Sequence, residues 1–138
     1  MGRLQNKVAL ITGTGGGQGR AAALRFAREG AIVVGCDVVA EGHEETAQLM
    51  RAEGFTLYGS APVDLGDHEQ SRAWIDAAVV EHGRIDILYN NASAARFGLV
   101  SELSIEDWQY TMRNEIDLLF HTTKYAWHHL AEQRGVII

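Results

Sequence analysis

Five glycines fall within Thr12-Gly13-Thr14-Gly15-Gly16-Gly17-Gln18-Gly19, directly between the apolar run Val8-Ala9-Leu10-Ile11 and a segment of helical pattern. No other stretch restricts the fold as strongly. A strand that turns at once into a helix over bare backbone suits an anion. Glycine permits the tight reversal, lets a pyrophosphate approach main-chain N–H groups, and lets the helix sit close on the strand. The helix that follows aims its open N–H groups and the positive end of its dipole at the same point. The strict G-x-G-x-x-G spacing does not occur here, so the neighbouring segments decide.

The next apolar run, Ala31-Ile32-Val33-Val34-Gly35-Cys36, ends in Asp37. A carboxylate about twenty residues beyond such glycines can accept both hydroxyls of an adenosine ribose. The same residue read alone is a solvated strand-end carboxylate. Strand, glycine turn, helix, strand and acid in this order favour the ribose reading. A 2′-phosphate would meet like charge at Asp37, and no Arg or Lys stands beside it or within the glycine cluster. NAD rather than NADP is the expected cofactor.

Strand-length apolar runs alternate with helical patterns along the whole chain, which predicts an α/β fold with a doubly wound, Rossmann-like parallel sheet. Strands are expected near Val8 to Ile11, Ile32 to Cys36, Thr56 to Val63, Ile85 to Tyr89 and Val136 to Ile138, in the order 3-2-1-4-5. Helices are expected near Gln18 to Glu29, Glu41 to Glu53, His68 to His82 and Ile105 to Gln133. Gly30, Gly54, Gly83 and Gly135 stand where left-handed residues end helices. The single proline, Pro62, suits the end of an edge strand. A chain of 138 residues accommodates one domain, residues 1–138.

Composition narrows the partners. With 46% hydrophobic and 22% charged residues the chain reads as a soluble globular protein, and its net charge of −6 disfavours nucleic acid. The apolar runs are too short to span a membrane. The lone cysteine, Cys36, excludes an internal disulfide and reads as a small core hydrophobe in a reducing compartment. Met1 to Lys7 lead straight into strand residues, so no secretory signal is expected, and Asn6 breaks the myristoylation pattern of Gly2. A cytoplasmic location is the expectation.

Thr12-Gly13-x-x-x-Gly17-x-Gly19, the pair Asp64-Leu65 after the third strand and Asn90-Asn91-Ala92 after the fourth resemble the short-chain dehydrogenase/reductase family. The resemblance runs from about Gly2 to the last residue. It implies that Gly13, Gly15, Gly17, Gln18 and Gly19 hold the pyrophosphate of NAD. It also implies that Asp64, with Leu65 beside it, contacts the adenine amino group, and that Asn91 and Ala92 brace the sheet beside the cofactor. Ser93 stands where that family usually has glycine, narrowing the space near the nicotinamide ribose.

In the segment Ile105 to Gln133, Ser104 and Asp107 form a capping arrangement, and Trp108, Met112, Ile116, Leu119, Phe120, Ala126, Trp127 and Leu130 keep a helical stripe. Such a stripe is first of all core packing. Phe120 and Trp127 widen it beyond what one sheet can cover, and the resemblance implies that this helix also forms a homo-oligomer interface. Asn114, a poor helix former, is either a surface residue or, as the resemblance implies, a helix-distorting member of a catalytic proton relay. The six histidines show no metal pattern: His43-Glu44-Glu45 lacks a second His, His128 and His129 are adjacent, and Asp117 with His121 makes an incomplete pair. They read as surface residues.

The resemblance further implies a hydride exchange between an alcohol and a carbonyl, with a Tyr made acidic by a Lys four residues on. None of Tyr58, Tyr89, Tyr110 and Tyr125 has that Lys, and the only lysines are Lys7 and Lys124. The family's Ser, Tyr and Lys follow the fifth strand, at which this chain stops. Two readings stand. One is the cofactor-binding half of an NAD-dependent dehydrogenase for a small alcohol or carbonyl substrate, truncated within the fifth strand. The other is a catalytically silent nucleotide-binding or interaction module.

Overall fold

The computed structural model describes residues 2–138. Its elements run β1 (Val8–Thr12), α1 (Gly17–Arg28), β2 (Ile32–Cys36), α2 (Ala40–Ala52), β3 (Leu57–Ser60), α3 (His68–His82), β4 (Ile87–Tyr89), α4 (Ile105–Met112), a π segment (Arg113–Asp117), α5 (Leu118–Gln133) and β5 (Val136–Ile137). The five strands form one parallel sheet in the order β3-β2-β1-β4-β5. This is the doubly wound order expected from the sequence. Its reversal lies between β1 and β4, beside the glycine turn.

Every residue of β1 is buried, as befits the central strand of a sheet covered on both faces. One face carries α1 and α2, where Ile11, Ala23, Ala27, Val33 and Met50 pack together. The other carries α3 and α5 over Leu10, Val34, Cys36, Trp74, Ile75, Leu88, Leu118, Ala126 and Leu130. Trp74 also donates Nε1–H to Gly35 O at 3.1 Å, which ties α3 to β2.

Strands β3 and β4 are shorter than the apolar runs predicted. Pro62 lies past Ser60, the last residue of β3, and β3 is indeed an edge strand. Val63, Leu65 and Ile85 are still buried, because loop residues fold back onto the α3 and α5 face.

The helix expected over Ile105 to Gln133 is not continuous. One extra backbone residue enters its ladder at Arg113–Asp117, and this rotates the face that follows. The buried residues of α5 are therefore Leu118, Thr122, Ala126 and Leu130. Trp108, Ile116 and Leu119, read as core, are exposed, as are Phe120 and Trp127, which the sequence already placed at the widened edge of the stripe.

Gly30, Gly54 and Gly83 take positive φ as expected, but the left-handed residue after α5 is Arg134 (φ 53°) rather than Gly135. Gly135 meets a different need: a Cβ there would lie 2.6 Å from Asp86 O.

Candidate functional site

The C-terminal ends of β1, β2 and β4 open into a cleft of about 700 Å³. Gly13, Gly15, Gly17, Gln18, Asp37, Asp64, Leu65, Asn91, Ala92, Ser93 and Asn114 line it. Gly19 does not reach the cleft and lies buried behind it, against Gly13 O and Asn91 Nδ2.

Helix α1 is left open toward this space. Asp67 caps α3 and Ser104 caps α4 with side-chain oxygens, whereas Gly16 at the start of α1 supplies no side-chain cap. The first turn of α1 holds no acidic residue. Its free N–H groups and dipole thus face the cleft unopposed. Gly16 and Gly17 have no atom within 4 Å of where a Cβ would stand, so packing does not demand glycine there. Gly17 takes a left-handed φ of 50° that by itself favours glycine, but Gly16 is extended, and what its bareness preserves is the hollow, which a phosphate-bearing ligand fits.

Asp37 is half-buried at the mouth of β2. Its Oδ2 accepts from Gly15 N at 2.7 Å and its Oδ1 from Val39 N at 2.8 Å, so loop and α2 together set its rotamer. One cation does approach the glycine loop from the following helix. Arg20 donates to Gly15 O at 2.9 Å, to Gly42 O and to Thr46 Oγ1, and pairs with Glu45. Its guanidinium is committed to these partners and holds the loop against α2.

Thr14, His43 and Thr46 complete that junction. Thr46 Oγ1 donates to Thr14 O at 2.6 Å, and Thr14 Oγ1 lies 2.8 Å from His43 Nδ1. His43 is therefore a buried residue, contrary to the surface role expected of it. Burial pushes its imidazole below the ordinary value, against the opposing pull of Asp37 and Glu44. His82 also departs from that expectation. Its side chain is 8% exposed and rests edge-on against Tyr58, with Nε2 making no hydrogen bond and Glu81 Oε2 3.8 Å away. Burial, and next the charge of Asp37, push the Cys36 thiol well above its ordinary range, so it serves as a core group rather than a nucleophile.

On the other side of β1, Asn91 joins the loops after β1 and β4. Its Nδ2 donates to Thr12 O at 3.0 Å and Gly13 O at 3.3 Å, while Asn91 N and Ala92 N both donate to Thr12 Oγ1 at 2.9 Å. Asn90 points the other way, accepting from Thr122 Oγ1 at 2.7 Å and anchoring β4 to α5.

The carboxylate of Asp64 accepts from Arg113 at 2.7 and 3.2 Å and from Gly66 N at 2.9 Å. Asn114 borders the cleft with its amide donating to Tyr110 O at 2.8 Å, inside the π segment. Glu115, the next residue, accepts from Ser93 Oγ at 2.6 Å. Sequence reasoning passed over Arg20, Arg113 and Glu115 and read His43 as a surface residue, because their partners meet them only on folding, through pairings 22 to 49 residues apart. Among the described residues no three His, Cys, Asp or Glu side chains are placed to hold a metal.

The family model described as short chain dehydrogenase matches residues 7–138. The chain belongs to the short-chain dehydrogenase family. It is 37% identical over 137 residues to meso-2,3-butanediol dehydrogenase of Serratia marcescens, covering 99% of this chain and 53% of that protein. A crystal structure of carveol dehydrogenase from Mycobacterium avium in complex with NAD aligns with a TM-score of 0.91 at 30% identity, over 99% of this chain and 55% of the other. NAD+-bound xylitol dehydrogenase aligns with a TM-score of 0.91 at 29% identity, over 98% and 52% of the two chains. The chain spans about half the length of the curated relatives it matches.

Proposed function

We propose that this chain is the NAD-binding portion of an oxidoreductase that interconverts a small alcohol and its carbonyl by hydride transfer. The observation that carries the reading is Asp37. Its carboxylate closes the β2 side of an uncapped glycine turn, and the cation that touches the glycine loop, Arg20, is held by Glu45 and backbone carbonyls. A ribose diol offers two donors to such a carboxylate, whereas a 2′-phosphate offers only like charge. The NAD named in two structural neighbours supports the same choice.

Bound NAD supplies the hydride acceptor or donor. The chain's own part is to bind and orient: the α1 N–H groups and the glycine loop take the pyrophosphate, Asp37 the ribose, and the Asp64-Leu65 pair the adenine. Asn91 and Ala92 brace the nicotinamide side through Thr12. Asn114, at the π segment, is the residue proposed for a proton relay. Among these 138 residues no Tyr has a Lys four positions on, so the general acid of the proposed reaction is not among them.

Asp37→Ala should weaken NAD binding about tenfold and bring NAD and NADP to comparable affinity, since it removes both the ribose acceptor and the repelling charge. Calorimetric titration with both cofactors tests this. Equal or tighter binding of NADP by the unaltered chain would overturn the choice of NAD.

A homo-oligomer is proposed through the exposed apolar side of α4, the π segment and α5. Trp108, Ile116, Leu119, Phe120 and Trp127 are exposed there, and the edge strand β5 is exposed as well. Apolar patches and open strand edges drive association. Sedimentation should find a species larger than a monomer at micromolar concentration, and Phe120→Glu with Trp127→Glu should reduce it. A compact monomer for the unaltered chain would count against this interface.

A further inference from the structure

The two halves of the cleft have different electrostatic neighbours. In the order β3-β2-β1-β4-β5, Asp37 leaves β2 on one side of the glycine turn and Ser93 follows β4 on the other. A dinucleotide lying across that reversal with its adenosine ribose at Asp37 directs its nicotinamide half over the β4 side. There Ser93 Oγ donates to Glu115 Oε1 at 2.6 Å. Ser93 and Asn114 line the cleft, and the bond to Ser93 holds the Glu115 carboxylate directly behind that lining.

The position of Glu115 is set at both ends of its turn. Arg113, two residues earlier in the π segment, grips Asp64 beyond β3, while Ser93 grips Glu115 beyond β4. The charge of Glu115 is not cancelled locally. Arg113 is paired with Asp64 and Arg96 with Asp107, and among the described residues Glu115 forms no ion pair.

We propose that Glu115, oriented by Ser93, determines preference for the redox state of the cofactor: its carboxylate favours the oxidised, cationic nicotinamide over the neutral reduced ring. This rests on the NAD-binding reading above. A fixed carboxylate attracts a ring bearing a formal positive charge and exerts far less on the neutral one. Ser93 is exposed and Glu115 half-buried, so solvent screens the attraction and the effect is modest. With glycine at position 93 no hydroxyl would hold the carboxylate there.

The test compares dissociation constants of NAD+ by calorimetry and NADH by fluorescence for the unaltered chain, Glu115→Gln and Ser93→Gly. Glu115→Gln keeps the shape and an acceptor for Ser93 while removing the charge. NAD+ affinity should fall about threefold with NADH affinity nearly unchanged, and the difference should fade near 1 M salt. Ser93→Gly should shift the ratio the same way by less. A ratio identical in the unaltered chain and Glu115→Gln, with both cofactors still bound, would overturn the role of Glu115 alone. Failure of the unaltered chain to bind either form would overturn the cofactor reading itself and this inference with it.

Discussion

Gly19→Ala is expected to remove cofactor binding and to loosen the fold around the glycine turn. A Cβ at this position would stand 1.9 Å from Gly13 O and 2.7 Å from Asn91 Nδ2. Neither neighbour has room to yield. Gly13 O is main chain, and the Asn91 amide is already bonded to Thr12 O and Gly13 O. Helix α1 would have to back away from the sheet, opening the contacts that Ala23 and Ala27 make with Ile11 and Val33. Overpacking of this kind costs about 3 kcal/mol, and the distorted turn should bind NAD roughly 100-fold more weakly. Thermal melts and NAD titrations run side by side check both effects. Gly16→Ala separates them: its backbone is extended (φ 177°) and its Cβ would meet nothing within 4 Å. That variant should melt like the parent while intruding on the cleft. If Gly19→Ala kept the parent's affinity, the close approach of α1 to the turn would not be what shapes the site.

What the sequence made legible was local. A glycine cluster after an apolar run, Asp37 at the end of the next, and helix ends marked by Gly30, Gly54 and Gly83 depend on a few consecutive residues, and the sheet order follows from the alternation they punctuate. The extra residue in the π segment has no such signature. Arg-Asn-Glu-Ile-Asp reads as ordinary helix, yet it shifts the phase of α5, so Leu118 turns inward while Leu119 and Phe120 turn out. A periodicity argument carried through that point assigns the wrong face. His43 was hidden for another reason. It is buried against Thr14, which lies 29 residues earlier, beyond α1 and β2, and meets it only when α2 docks on the glycine turn. Arg134 shows a competition between two needs: Gly135 is required where the chain passes Asp86 O, so the left-handed position falls to its neighbour.

Asp86→Ala should be the most damaging change away from the cleft. Asp86 sits just before β4, at the opposite end of the sheet from the glycine turn, with its side chain 3% exposed. It accepts from Val8 N at 3.0 Å, Lys7 Nζ at 3.0 Å and Arg84 at 2.6 and 2.8 Å. Its own backbone joins β1 and β5, through Asp86 N to Val8 O and Val136 N to Asp86 O, both 2.9 Å. Burial by itself raises the carboxyl, but Arg84, the Val8 N–H and Lys7 outweigh it and hold the group below the usual carboxylate range. Alanine would strand the buried Val8 N–H and leave two cations without their carboxylate, a loss of about 3 kcal/mol, or roughly 10 °C in melting temperature. The pH dependence fixes the cause. A depressed folded-state value means that the carboxylate's contribution is complete above the unfolded value of about 3.9 and is lost as pH falls through the folded one. The gap between parent and variant should therefore be constant from pH 7 to about pH 5 and narrow only below about pH 4. A gap that stayed constant down to the acid transition would assign the loss to packing and hydrogen-bond geometry instead of charge. Because Asp86 lies at the far end of the strands, the folded variant should still bind NAD with the parent's affinity, which separates the stability of the sheet from the chemistry of its other edge.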